Sequence, residues 1–108
     1  MKTGVEIIAE ERKRQMEEEG LTAEQGDQLQ GGQLAGAAAC YAWVHANYMG
    51  KWAWRLVMAL WPWPHEMWRP QDPISDLAKA GALIAAEIDR LQRRQSAEEA
   101  PRLILPPR

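Results

Sequence analysis

Phenylalanine is missing from this 108-residue chain, and cysteine occurs once, at Cys40. A lone cysteine excludes an internal disulfide, so the fold must be held by packing, and a reducing compartment suits it. Within the run LAGAAACYAW the thiol is expected to act as a small buried hydrophobe. Charge of one sign is also lacking. A net charge of −2, with acids and bases interspersed, argues against a nucleic-acid binder held by phosphate contacts and against a highly acidic DNA mimic. The opening MKTGVEIIAEERKRQ has charges before any apolar run of signal-peptide length, so no secretion signal is expected. Gln28 to Gly50 has no Lys, Arg, Asp or Glu. Its Gln28, Gln30, Gln33, His45 and Asn47, set among small residues, point to a buried helix and not a membrane span. Strand-like alternation, nucleotide-cradling glycine loops, zinc-type Cys/His spacing and internal repeats are all absent, as are the ordinary catalytic motifs.

What is present is helical periodicity. The expected fold is an all-α single domain, a small bundle of three to four helices with a Trp/Pro-rich loop before the last one. A first helix over about Thr3 to Glu19 has charges spaced for mutual support and a short apolar face of Val5, Ile8, Ala9 and Met16, closed by Gly20. A connecting loop follows, Leu21 to Asp27. The second helix is expected from about Leu29 to Tyr48, with Leu34, Ala38, Tyr41, His45 and Tyr48 on one stripe among many small residues. A short helix, Lys51 to Leu60, should stop at Pro62 and Pro64.

Asp72 and Pro73 open the last helix, and Arg90, Arg93 and Arg94 sit near its negative end. Its seam Ile74, Leu77, Gly81, Ile84, Ile88 and Leu91 has unbroken 3-4 spacing and is expected to pack on the Leu34 to Tyr48 face. The helical domain is bounded at residues 1–94, and residues 95–108 are expected as a Pro-containing tail whose Leu103-Ile104-Leu105 can dock. So thin a core also makes a homodimer the default expectation.

The run ERKRQMEEEGLTAEQGDQLQGGQLAGAAACYAW, followed by WPWPHEMWRPQDPISDLAKAGALIAAEIDRLQRR, resembles small phage and prophage proteins that look related to the MazG-like all-α nucleotide pyrophosphohydrolases. The resemblance covers about Ile7 to Arg94. It implies the cytoplasm of a bacterial host cell and hydrolysis between the α- and β-phosphates of a nucleoside triphosphate by water activated on Mg²⁺, which needs several carboxylates from facing helices. The sequence departs from the pattern at two points. Gln33 stands in Gly32-Gln33-Leu34-Ala35 where an acid is expected, and Gln25-Gly26-Asp27 replaces a His-Asp-Asp loop. The second helix also lacks the EExxE motif. The metal candidates that the resemblance leaves are Asp27, Asp76 and Glu87, with Gln33 and Lys79 as nucleotide contacts, and Mg²⁺ is implied only if the enzymatic reading holds.

Each candidate also has a structural reading. Glu87, on the Ala80, Leu83 stripe, can form a salt bridge to Arg12 or Arg14; Asp76 suits a helix first turn in any case; Lys79 can be solvated or ion-paired. His45 is expected as a hydrogen-bonded core histidine, and His65 as an exposed loop residue. Trp43, Trp52, Trp54, Trp61, Trp63 and Trp68 cluster in a short stretch, and Trp61, Trp63 and Trp68 are candidates for partner recognition as well as for plugging the core. Three functions follow: a nucleotide-binding MazG-like protein with weak or lost pyrophosphohydrolase activity; a non-enzymatic, phage-encoded inhibitor of a host defence protein; or a protein that sequesters a nucleotide. Neither membrane association nor direct nucleic-acid binding is expected.

Overall fold

A computed structural model describes residues 1–104, with side chains through residue 99. Every regular element among them is helical, as expected. Helix α1 (Gly4–Glu18) is opened by Thr3, whose hydroxyl accepts the Glu6 N–H while the Glu6 carboxylate accepts the Thr3 N–H. This reciprocal cap holds the Glu6 carboxyl below its usual range. Arg14 gathers Glu11, Glu18 and Glu19 around its guanidinium, and Gly20, at φ +72°, turns the chain away. The next segment is a short helix, α2 (Ala23–Asp27), where the sequence predicts a loop, because the Thr22 hydroxyl accepts the Gln25 N–H and caps one turn.

Helix α3 (Gln33–Trp43) is shorter than the predicted Leu29 to Tyr48. Gly31 and Gly32 take left-handed backbone, with φ +72° and +79°, which delays its start, and a 3₁₀ turn over Asn47–Met49 follows its end. Tyr48, placed on the buried stripe by its spacing, is instead exposed. Helix α4 (Trp52–Leu60) stops before Pro62 as expected. A second 3₁₀ turn, His65–Met67, lies in the Trp/Pro loop. Asp72 caps α5 (Pro73–Ile104) by accepting the Ser75 N–H and hydroxyl, which lowers the Asp72 pKa. Helix α5 continues through Gln95 and Ser96 to Ile104 where the sequence predicts a tail. The suggested docking of Leu103-Ile104-Leu105 falls on side chains outside those described.

Helix α5 is the rail on which the rest is mounted: α3 and α1 pack along it, α2 reaches its C-terminal half, and α4 covers α3. The α3–α5 interface is built from small residues, Ala37, Ala38 and Cys40 facing Ala80, Leu83 and Ala86, with Leu34 fully buried. Small side chains allow close helix approach, and the bulk they leave out is supplied by Tyr41, Val57 and Trp61 at the edge of the same cluster. Burial raises the pKa of the enclosed Cys40 thiol, in keeping with the expected inert hydrophobe. No described helix is long and apolar enough to cross a membrane.

The Ile74 to Leu91 seam is not the core. Its five large members remain 43–67% exposed. The face of α5 turned to α3 is instead Asp76, Ala80, Leu83 and Ala86, offset around the helix. Only Gly81 in the seam is closely covered, since a Cβ there would lie 2.6 Å from Ile8 Cδ1 of α1. Heptad spacing identifies residues that share a face; it does not say which neighbour covers it, and here the alanine stripe admits the closer approach.

Adjacent substitutions on α5 separate the two faces. Leu83→Asp buries an unpaired carboxylate and is expected to abolish the cooperative unfolding transition, whereas Ile84→Asp keeps native helical circular dichroism. A cooperatively folded Leu83→Asp protein would contradict this packing.

Candidate functional site

The first turn of α5 carries Asp76, which has no exposed surface. Both of its oxygens accept the Gln71 N–H, at 2.8 and 2.9 Å, and Oδ2 lies 2.7 Å from His45 Nε2 just beyond α3. Lys79 Nζ, one turn on, sits 3.9 Å from Oδ1. A carboxylate is favoured here by the helix dipole, and its lone pairs are taken up by the protein itself. His45, expected as a hydrogen-bonded core histidine, is hydrogen-bonded but lies at the edge of the core, with 19% of its side chain exposed.

Beside this anchor the 61–72 segment is fastened from three sides. Trp61 Nε1 donates to the Pro64 carbonyl and Trp63 Nε1 to Gln33 Oε1, both at 3.1 Å. The Arg69 N–H donates to the Tyr41 hydroxyl, and Lys79 Nζ donates to the Arg69 carbonyl at 3.1 Å while lying 5.2 Å from the centre of the Tyr41 ring. Trp61 packs edge-on against Tyr41 and Trp63, and Trp68 stacks 4.7 Å from Tyr41. Burial pushes the Tyr41 hydroxyl pKa up. Trp61 is buried and Trp63 and Trp68 partly so, which makes this segment a plug of the core and leaves little of it for an external partner. The tryptophans that do face outward are Trp52 and Trp54 of α4.

The three acids named as metal candidates are not brought together. Asp76 is occupied as above, Glu87 holds Arg90 at 2.6 Å within α5, and Asp27 holds Arg93 at 2.9 Å. Glu87 hydrogen bonding raises the Arg90 pKa. The partner of Glu87 is thus Arg90, neither Arg12 nor Arg14. Asp76 and Glu87 stand about 16 Å apart along one helix. Among the described residues no group of three or more His, Cys, Asp or Glu side chains is placed to hold a metal ion. The residues present do not fit the Mg²⁺ centre that the resemblance implies.

Of the two nucleotide candidates, Gln33 is engaged by Trp63, and Lys79 lines a cavity that the sequence did not delineate. A pocket of about 150 Å³ opens between α1, α3, α5 and the Trp loop, walled by Tyr41, Trp61 and Trp63 and rimmed by Arg69 and Lys79. It shares Glu19, Arg69 and Lys79 with a groove of about 590 Å³ running between α1 and the start of α5 past Arg14 and Ser75. Gln15 also lines the pocket. It is 3% exposed, and its Oε1 is buried without a hydrogen-bond partner. Gln15, Tyr41 and Arg69 were not among the sequence candidates as ligand contacts. For Gln15 a signal existed, since Ile8, Glu11 and Gln15 recur at 3-4 spacing and extend the inward face of α1 into its charged half.

Comparison with protein-family models, curated proteins and solved structures found no match to this chain.

Removing the Asp76 carboxylate strands His45 and the Gln71 N–H. Asp76→Ala is expected to lower stability by about 3–5 kcal/mol in urea unfolding, with Asp76→Asn, which keeps an acceptor, intermediate. Wild-type stability in Asp76→Ala would remove Asp76 from this role.

Proposed function

We propose that the chain binds a nucleotide without turning it over, with the base in the pocket walled by Tyr41 and Trp63 and the phosphates in the adjoining groove at Arg69 and Lys79. The observation that carries this reading is Gln15, which lines the pocket and whose buried Oε1 has no hydrogen-bond partner. An orphaned amide oxygen costs about 1–3 kcal/mol, and an N–H on the edge of a base can satisfy it. Trp63, only partly buried in the wall, offers a face for stacking, worth about 1–3 kcal/mol per base. The groove volume falls within the roughly 300–1,000 Å³ of small-molecule sites. Arg14 pairs with Glu11 and Glu19 along the same groove, and the further cations on its lining are Arg69 and Lys79, the latter also 3.9 Å from Asp76 Oδ1.

The resemblance to MazG-like proteins supports a nucleotide as ligand. The scattered acids argue that pyrophosphohydrolase chemistry is weak or lost, so sequestration of a nucleotide is the function favoured, in the cytoplasm of a bacterial host and in a homodimer. Titration calorimetry with nucleoside mono- and triphosphates tests it. Gln15→Leu is expected to weaken binding at least tenfold while holding or raising the melting temperature, and Lys79→Gln to weaken triphosphate binding more than monophosphate binding. If no nucleotide binds at millimolar concentration, or neither variant changes affinity, the reading fails.

A second reading, inhibition of a host defence protein by direct binding, is favoured by Trp52 and Trp54, which are 60% and 48% exposed beside Met58 on α4. On that reading Trp52→Ser with Trp54→Ser abolishes inhibition of the defence system in an infected-cell assay and leaves nucleotide affinity unchanged. Full inhibition by the double variant would rule out this surface.

A further inference from the structure

The exposed stripe of α5 is long, regular and apolar. Ile74, Leu77, Ile84, Ile88 and Leu91 present on the order of 500 Å² of apolar side chain to water, at the upper end of what monomers leave bare. The 3-4-3-4-3 spacing of the stripe reads the same in both directions. When a second α5 is laid antiparallel, Ile74 meets the partner's Leu91, Leu77 meets the partner's Ile88, and Gly81 meets the partner's Ile84. Each bulky residue therefore faces an apolar residue, and the one small residue, half covered by Ile8, lies near the two-fold axis.

We infer that two copies of this chain pair through α5 in this antiparallel register. The inference deepens the homodimer of the preceding reading and is independent of the nucleotide site. Three further observations commit the face to a second copy. A groove of about 250 Å³, almost wholly apolar, lies between the start of α1 and the start of α5, lined by Gly4, Ile7, Ile8, Ile74, Leu77 and Ala78, at the level where the partner's Ile88 and Leu91 arrive. Charge agrees with the direction. Asp72, exposed and without a cationic partner among the described residues, comes level with the partner's Arg93 and the partner's Arg94. A parallel arrangement would set Asp72 against Asp72 and Arg94 against Arg94. The apolar area also supplies the larger part of the roughly 800 Å² per partner that stable interfaces bury.

Sedimentation of the nucleotide-free full chain tests the pairing, so its outcome does not depend on ligand binding. The wild type is expected to sediment as a dimer. Leu77→Glu with Ile88→Glu should halve the mass with helical circular dichroism unchanged, because both residues are exposed in the single chain. A monomeric wild type, or a double variant that stays dimeric, overturns the interface. Register is read by disulfide trapping under oxidation. A mixture of Leu77→Cys and Ile88→Cys chains is expected to cross-link, while Leu77→Cys alone does not, its two thiols lying about 16 Å apart along the axis. Cross-linking of Leu77→Cys alone overturns the antiparallel register, and Cys40, fully buried, does not contribute.

Discussion

Asp76 has no access to water, and three groups from separate parts of the chain converge on it: the Gln71 amide, His45 and Lys79. A buried carboxylate is costly unless its lone pairs are filled, so the chain can close only in the arrangement that fills them. That requirement fixes where the end of α3 sits against the start of α5, and with it the height of Tyr41 beside Lys79. The Arg69 carbonyl is then held by Lys79 and the Arg69 amide by Tyr41, so the Trp loop is closed down over the alanine-lined interface. The pocket walls exist because that loop is held shut. The cation rim and the aromatic wall thus depend on one anionic anchor.

The helices were largely legible in the sequence because their signals are local. Thr3 with Glu6, Asp72 with Ser75, and the Pro62 stop act within one turn, and each is found where its chemistry places it. The errors arose where distant neighbours decide. Spacing groups Ile74 with Leu91 and Ala80 with Leu83 equally well, and only the close approach allowed by alanine selects the second stripe for the interior. Gly31 and Gly32 shortened α3 through left-handed backbone, a choice that glycine permits without requiring it. The arginine partner of Asp27 and the histidine partner of Asp76 lie 66 and 31 residues away in sequence, beyond any local pattern, whereas Glu87 meets Arg90 within one turn of its own helix. Gln15 lies within a run of charges, EERKRQMEEE, that masks its place on the inward face of α1.

The tryptophans show the same division. Proline spacing suggested a rigid aromatic display, yet Trp61 and Trp63 direct their N–H groups to the Pro64 carbonyl and to Gln33, and their rings fill space beside small helix residues. A core poor in bulky aliphatics needs large plugs at its rim, and in a chain without phenylalanine tryptophan fills that need. Trp68 retains a buried indole N–H with no partner, a cost that the packing of its ring on Tyr41 and Trp61 offsets.

The placement of α1 has a consequence for synthesis. Among the helices it packs on α5. On the ribosome α1 therefore emerges well before its docking site, by roughly seventy residues or several seconds at ordinary elongation rates. Its face is suited to the wait. Arg14 with Glu11, Glu18 and Glu19, and Lys2 with Glu10, can form within the nascent segment and keep it hydrated, and its apolar content is slight. The α3–α4 hairpin can collapse meanwhile, and closure of the whole waits on the arrival of the last helix, which makes the C-terminal third of the chain the step that commits the protein to its native state.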